Sequence, residues 1–411
     1  MKFAVLGFGN RGRGAYTPHA VKMEGVTLSA VCEKRPCRLE RARKEYSLSD
    51  EQLFLSDEEF FAAGKLADLL IIATQDGDHY GHAMRALDVG YDILLEKPMA
   101  QSYEQCKAIA DKAEKLGRRV YICHVLRYAP FFVYIKNQVE KGVIGKVETI
   151  AHTENVAYWH QSHSFVRGNW SVTEETTPMI LAKCCHDLDM IYWLIDRPCT
   201  AVSSFGSLDF FTRDNAPEGS GDYCCECPLQ EKCAFDCVKF YEKNAGWLAG
   251  AIDLPFDRND PASIRAVLSR HENPYSRCVF KCDNTAVDHQ VVNMLFEGGV
   301  TAQLTMTAFA ADCYRELHIH GTRGEIIGDM LSNKVKINIY GGESTEVDIG
   351  ALTDGIYGHG GGDQRLITDV INTFRGVEAK GVTSIQNSLM SHKIGYAAEA
   401  SRLAGGELVK L

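Results

Sequence analysis

The chain has 411 residues, 45% of them apolar and 24% charged, with 44 Lys plus Arg against 54 Asp plus Glu for a formal net charge of −10. At roughly 100–200 residues per domain this is a globular chain of two or three domains, and its acidic balance gives no electrostatic reason to approach nucleic acid or an anionic membrane. No segment reaches the roughly 20 apolar residues of a membrane helix, residues 1–9 are too short an apolar run for an export signal, and fifteen cysteines in such a chain read as reduced thiols of a cytoplasmic protein.

Residues 2–6 form a short apolar run that predicts a buried strand. Three glycines follow, then a polar amphipathic stretch to Met23 that predicts a helix. Further strands are expected at 26–32, 69–73, 92–95 and 119–123, with helices at 82–89 and 103–116 between them. Strand, helix, strand at this spacing implies right-handed crossovers, so residues 1–125 read as a doubly wound α/β domain with a parallel sheet.

Past Gly145 the runs lengthen and alternate, at 147–155, 200–208, 286–296, 301–309 and 316–320, with Gly298-Gly299 as a hairpin turn. Residues 126–411 therefore read as a second α/β domain built on a large, mostly antiparallel open sheet. A helix is expected over 178–194. Residues 215–274 form an irregular or partly helical insertion carrying five cysteines, and helices over 363–376 and 384–403 end the chain, free to pack back on the first domain.

Gly7, Gly9, Asn10, Arg11 and Gly12 belong to a G-x-G-x-x-G element that follows a strand and opens a helix. That context lets the turn close, the backbone approach a pyrophosphate, and the helix N-terminus offer N–H groups to the anion. Glu33, about 20 residues on at the end of the second strand, is placed to accept from the two ribose hydroxyls of NAD. Lys34 and Arg35 beside it leave NADP open, since a cation there accommodates a 2′-phosphate.

Thr74 to His79 and Glu96-Lys97-Pro98 lie at the ends of later strands, the edge where ligands bind in such sheets. Pro98 can fix its loop, a candidate for a cis bond. Arg127-Tyr128, Gly142-Val143-Ile144-Gly145, His186-x-x-Asp189 and Gly321-Thr322-Arg323-Gly324-Glu325-Ile326 follow in order. The whole set resembles the Gfo/Idh/MocA family, the glucose–fructose oxidoreductase and inositol dehydrogenase group, over essentially the entire chain.

The resemblance implies a Rossmann domain followed by an α/β domain, a bound nicotinamide cofactor, and a sugar, cyclitol or glycoside as substrate. It implies a homodimer or homotetramer. It places Thr74, His79, Glu96 and Lys97 around the cofactor, gives Lys97 the reacting carbinol, and makes His186 the general base. The family's aspartate four residues before that histidine is Ala182 here, with Lys183 next to it. Lys183 or Asp187 could fill the gap, and Asp189, at i+3 from His186, could orient the ring.

Further substrate contacts are expected from Arg127 and Tyr128, from Arg167, Asn169 and Trp170 in the donor-rich loop before the catalytic helix, from Lys183, and from His359 among its glycines. Asp288-His289 lies in a strand, where alternation lets at most one of the two side chains reach the cleft. Cys224, Cys227, Cys233 and Cys237 are candidate metal ligands, but their spacing fits no strong template and no metal is assigned. Two activities suit these residues. One is NAD-dependent hydride transfer at a secondary hydroxyl. The alternative is an oxidoreductive glycosidase that borrows the hydride: C3 is oxidised, the C2 proton leaves with the aglycone, water adds, and the hydride returns.

Overall fold

Six parallel strands open the computed structural model, which describes residues 1–353, 358–377 and 383–411. They are β1 (Lys2–Leu6), β2 (Thr27–Cys32), β3 (Leu53–Phe54), β4 (Leu69–Ile72), β5 (Asp92–Leu95) and β6 (Val120–Ile122), in the order β3-β2-β1-β4-β5-β6. Helices cover both faces, which is why β4 and β5 are buried along their whole length. The helices Asp76–Val89 and Tyr103–Leu116 end on Gly90 and Gly117 in the left-handed region (φ +92° and +61°). The first of them starts six residues earlier than its apolar spacing suggests, because its opening turn, Asp76-Gly77-Asp78, carries residues typical of loops.

The second sheet has nine strands: β7 (Val147–Asn155), β8 (Cys199–Ser207), β9 (His289–Phe296), β10 (Thr301–Thr307), β11 (Tyr314–Gly321), β12 (Gly324–Asp329), β13 (Lys334–Ile339), β14 (Ser344–Asp348) and β15 (Val409–Lys410). Their order is β14-β13-β12-β11-β7-β10-β9-β8-β15, antiparallel except for the β7–β10 pair. Gly298 and Gly299 turn the β9–β10 hairpin with φ of +79° and +82°. Leu188, Ile191 and Leu194 of the helix Cys185–Ile195 share one apolar core with Ile150, Val292, Leu304 and Ile319 of the sheet.

The expected helix over 178–194 is broken into Met179–Ala182 and Cys185–Ile195. The break frees the Ala182 carbonyl for a side-chain donor. The C-terminal helices do return to the first domain: Leu366, Ile367, Val370 and Ile371 pack with Phe3, Val5, Leu69 and Ile71. Within the insertion, the short helices Cys237–Lys243, Ala245–Ala251 and Pro261–Leu268 close around their own core of Val238, Tyr241, Leu248, Ile264 and Leu268. Among the described residues no helix is long and apolar enough to cross a membrane.

Candidate active site

The phosphate loop has the geometry its glycines require. Gly7 has φ +93°, and a Cβ there would lie 2.5 Å from the Ala73 carbonyl oxygen, while one on Gly12 would collide with the Gly7 carbonyl. A Cβ on Gly9 would meet only the flexible tip of Arg38, at 3.1 Å, so this face of the loop is open to a pyrophosphate. The Glu33 carboxylate accepts from the Phe8 N–H (2.9 Å) and the Arg35 N–H (3.0 Å). Two such bonds fix its position and leave acceptor directions for a ribose diol. These residues fit a dinucleotide.

Arg11 has a different role from the one expected. Its guanidinium reaches Glu96 (2.6 Å), Tyr16 (2.5 Å) and Asp363 (2.8 Å), so the side chain ties the first domain to the C-terminal helix, and only its backbone belongs to the phosphate loop. Burial works to raise the Glu96 carboxyl, but Arg11 and Tyr16 more than offset it and hold the group below its ordinary value. His79 is also a positioning residue: buried, it reaches the Pro98 carbonyl with Nδ1 (2.7 Å) and the Thr74 carbonyl with Nε2 (3.2 Å), joining the two loops. The Thr74 hydroxyl is engaged by His82 (3.1 Å). The Lys97–Pro98 peptide is cis.

Lys97 projects from the end of β5 and donates from Nζ to the Ala182 carbonyl at 2.7 Å. His186 lies one helical turn further on, its ring centre 5.7 Å from that of His359 and 6.1 Å from that of His124. Its Nδ1 is buried and has no hydrogen-bond partner among the described residues. Burial, and then the charge of Lys97, hold this imidazole well below its ordinary pKa, so it is neutral near pH 7. Lysine and imidazole thus meet where the strand end faces the helix Cys185–Ile195.

Asp189 does not orient that ring. Its carboxylate is held by Arg127 through two bonds of 2.7 Å, both groups buried, with His124 Nε2 3.7 Å away. This correction removes Arg127 from the substrate contacts as well, and Tyr128 beside it is packed in the core under the C-terminal helix. The Ala182 gap is filled by a buried ion cluster. Lys183 Nζ reaches Glu154 (3.0 Å), while Arg315 bridges Glu154 (2.9 Å) and Asp187 (2.7 Å), and His152 reaches Asp187 (2.7 Å). Lys183 is therefore an ion-pair partner, and Asp187 faces away from His186 toward Arg315.

The other substrate expectations divide. Arg167 is buried, donating to the Arg277 (2.7 Å) and Phe235 (2.9 Å) carbonyls beneath the insertion, and Trp170 donates to Asp76 (3.1 Å). Neither is free for a sugar. Asn169 is exposed. Asp288 is buried on the Asp209 and Phe210 N–H groups and pairs with His289 (2.7 Å). His359 does stand beside His186, but it also pairs with Asp363 (3.1 Å). Its glycine neighbours are explained by packing: a Cβ on Gly362 would strike the Val125 carbonyl, and one on Gly360 would lie 2.7 Å from Met330.

Sequence reasoning missed the aromatic wall. Trp159 stacks on His160 and Phe240 with ring centres 5.6 and 5.5 Å apart, and the half-exposed Trp247 sits edge-on to Trp159 at 5.3 Å and to His160 at 5.1 Å. Trp247 and Phe240 come from the insertion, whose distance along the chain hid them. The insertion also covers the cofactor mouth. Asp253 pairs with Arg35 and with Arg38 (2.8 Å), and Gly250 lies so close to Asn10 that a Cβ would be 2.5 Å from its amide. Of the two cations that left NADP open, Arg35 is thereby paired and Lys34 stays exposed. Arg315 had one signal in the sequence: it occupies an inward register position of β11, where a charge needs a buried partner.

Comparison with known proteins agrees with this geometry. Residues 1–124 match the model of an oxidoreductase family with an NAD-binding Rossmann fold, and residues 136–405 match the model of its C-terminal alpha/beta domain. YteT of Bacillus subtilis is 23% identical over 316 residues, 74% of this chain and 72% of its own length. An inositol 2-dehydrogenase/D-chiro-inositol 3-dehydrogenase of Lactiplantibacillus plantarum is 26% identical over 207 residues, 50% of this chain and 55% of that protein. A glycosyl hydrolase family 109 protein of Phocaeicola vulgatus is 30% identical over 166 residues, 39% of each. With both of its domains matched over nearly their full length, the chain belongs to the NAD-binding Gfo/Idh/MocA oxidoreductase family.

Proposed function

We propose that the protein oxidises or reduces a secondary hydroxyl of a sugar, cyclitol or glycoside with NAD as hydride partner. The observation that carries this is the meeting of Lys97 with the break just before the His186 helix, 2.7 Å from Nζ to the Ala182 carbonyl, at the strand-end edge of the sheet that also carries the dinucleotide loop. Bound NAD supplies a hydride acceptor at the substrate carbon. A hydroxyl loses its hydride only as its proton departs, so a neutral base and a cation are both needed. His186, kept neutral by burial and by Lys97, is the group to take that proton. Lys97 Nζ steadies the developing alkoxide and has donors left after its one bond to Ala182. Trp247 and Trp159 offer aromatic faces to the C–H surface of a pyranose or cyclitol ring. Glu33 selects NAD over NADP by refusing a 2′-phosphate.

A second reading is favoured by the Asp253 clasp on Arg35 and Arg38. A cofactor shut in by the insertion suits a redox-neutral glycosidase, whose hydride is borrowed and returned within one turnover. One experiment separates the two. Purified protein and NAD are mixed with free sugars, inositols and aryl glycosides while NADH and released phenol are followed together. NADH accumulating without phenol identifies the dehydrogenase, phenol released in excess of cofactor with flat NADH identifies the glycosidase, and neither signal across the panel overturns both.

A further inference from the structure

Seven of the fifteen cysteines gather in and around the insertion, and none of the fifteen is in a disulfide. Cys224, Cys227 and Cys233 come from two successive tight turns. The Cys227 N–H returns to the Cys224 carbonyl (3.2 Å) and the Gln230 N–H to the Cys227 carbonyl (3.1 Å). Cys278 arrives from far downstream, brought in by pairing of Tyr223 with Arg277 and by its own N–H donating to the Asp222 carbonyl at 2.8 Å. These four cysteines line one cavity of about 450 Å³. Cys237, the fourth candidate by sequence, is not among the residues that line it.

Two further observations mark the cavity as a site for a cation held by thiolates. Arg167 is buried against it and, among the described residues, meets no carboxylate; it donates to two carbonyls and to Cys224 Sγ (3.5 Å). A buried guanidinium needs an anion, and a cluster of thiolates around a divalent metal carries the net negative charge that would balance it. The Gly221 N–H donates to Cys227 Sγ at 3.3 Å, a backbone bond that favours the thiolate. Cys237 is the rival fourth ligand: it, Cys224 and the Asp236 carboxylate lie within 4.8 Å of one another, whereas the four cavity cysteines do not all do so, and a metal would have to draw their sulfurs together. However, Asp236 is occupied capping its helix through the Val238 and Lys239 N–H groups, and Cys237, though it shares the insertion's apolar core with Cys224, does not line the cavity.

We propose that Cys224, Cys227, Cys233 and Cys278 bind one structural zinc ion as a tetrahedral thiolate set, with Arg167 as the charge-balancing neighbour. Four sulfurs and no open position make it a closed, structural site. Binding displaces the thiol protons to solvent with no change of oxidation state. The metal would pin the turns at 224–233 to the loop that leads into β9 and so hold the insertion in place over the aromatic wall and the cofactor mouth.

Metal analysis of the full-length protein purified from zinc-supplemented medium tests this, read together with X-ray absorption at the zinc edge. About one zinc per chain with four sulfurs at about 2.3 Å is expected. Cys227→Ser and Cys278→Ser should lower it to background, while Cys225→Ser and Cys237→Ser should keep it, and circular dichroism of each variant reports whether the rest of the chain has folded. Titration with a mercurial should release the metal from the wild-type protein as thiols are consumed. Zinc-free folded protein with all its thiols reactive, or a Cys224–Cys237 disulfide in its place, would overturn the site. Iron with sulfide would overturn the choice of zinc, and loss of metal in Cys237→Ser with retention in Cys278→Ser would overturn the ligand set.

Discussion

Lys97 Nζ lies 2.7 Å from the carbonyl oxygen of Ala182, the residue one helical turn before His186. The side chain that the family places at this position is gone, yet the position still locates the lysine through its backbone, because the helix breaks immediately after it. A lysine held by a neutral carbonyl keeps its full charge for the substrate oxygen. Lys97→Met should therefore lower kcat by about 10²–10⁴-fold and leave NAD affinity nearly unchanged. Steady-state turnover and cofactor titration by fluorescence check both parts, and unimpaired turnover would remove the lysine from the chemistry.

Glu33 is held by two backbone N–H groups, at 2.9 and 3.0 Å, so its carboxylate is positioned before any ribose arrives. Glu33→Gln keeps the shape and removes the charge. NAD should bind about tenfold more weakly, the equivalent of roughly 1.4 kcal/mol, while NADP loses little or gains. Parallel titrations with both cofactors measure the ratio, and equal losses would contradict the ribose assignment.

The sequence made the architecture legible wherever one residue pattern served one purpose. Apolar runs of strand length bounded by glycines gave β1, β4 and β5, and long alternating runs gave the second sheet, because burial on two faces or on one writes itself into the period. The site was half legible. Lys97 and His186 stood on motifs, but Arg127, Arg167 and Trp170 look like sugar contacts in a list of residue types and are in fact hydrogen-bonded within the protein, the two arginines buried. What decided their roles was partners distant in the chain: Asp189, Phe235 and Asp76. Trp247, Asp253 and Cys278 were hidden for the same reason, since no local spacing announces a contact made across an insertion.

Arg315 sits between Glu154 and Asp187, at 2.9 and 2.7 Å, with all three buried. Burial pushes the Glu154 carboxyl up despite Arg315 and Lys183, so the cluster is near its limit of compensated charge. Arg315→Met would leave two buried carboxylates with Lys183 and His152 alone. The cost should be about 3–5 kcal/mol of stability. Urea unfolding measures it, and a change under 1 kcal/mol, roughly the value of an exposed pair, would show that the cluster is solvated.

Asp253 reaches from the insertion to Arg35 and to Arg38 (2.8 Å) beside Glu33. Asp253→Ala should free both guanidinium groups, improve NADP binding severalfold, and speed dissociation of NAD by unfastening the cover. Stopped-flow displacement of NADH gives the off-rate. An unchanged rate with improved NADP binding would assign Asp253 to charge balance alone.

Buried histidines set the acid limit of the fold, His160 and His186 among them, both held well below the ordinary value by burial. Burial pushes His124 down to about 4, His163 to about 4 and His392 to about 3, against roughly 6.5 in an unfolded chain. His392 shows why: its Nε2 accepts the Met99 N–H at 3.0 Å and its Nδ1 donates to the Ser388 carbonyl at 2.9 Å, a pattern that only the neutral ring satisfies. Below the unfolded value the unfolded chain takes up protons that the native state refuses, so the stability contributed by these neutral rings is full above about pH 6.5 and falls as pH drops toward 4. The slope should be about 1.4 kcal/mol per pH unit for each ring. Urea midpoints at pH 7.5, 6 and 5 should decline in that order. His124→Phe, which replaces a buried ring with no hydrogen-bond partner among the described residues, should flatten the decline by one ring's share, about 1.4 kcal/mol per pH unit. Equal midpoints across this range would mean that the buried rings are charged in the native protein.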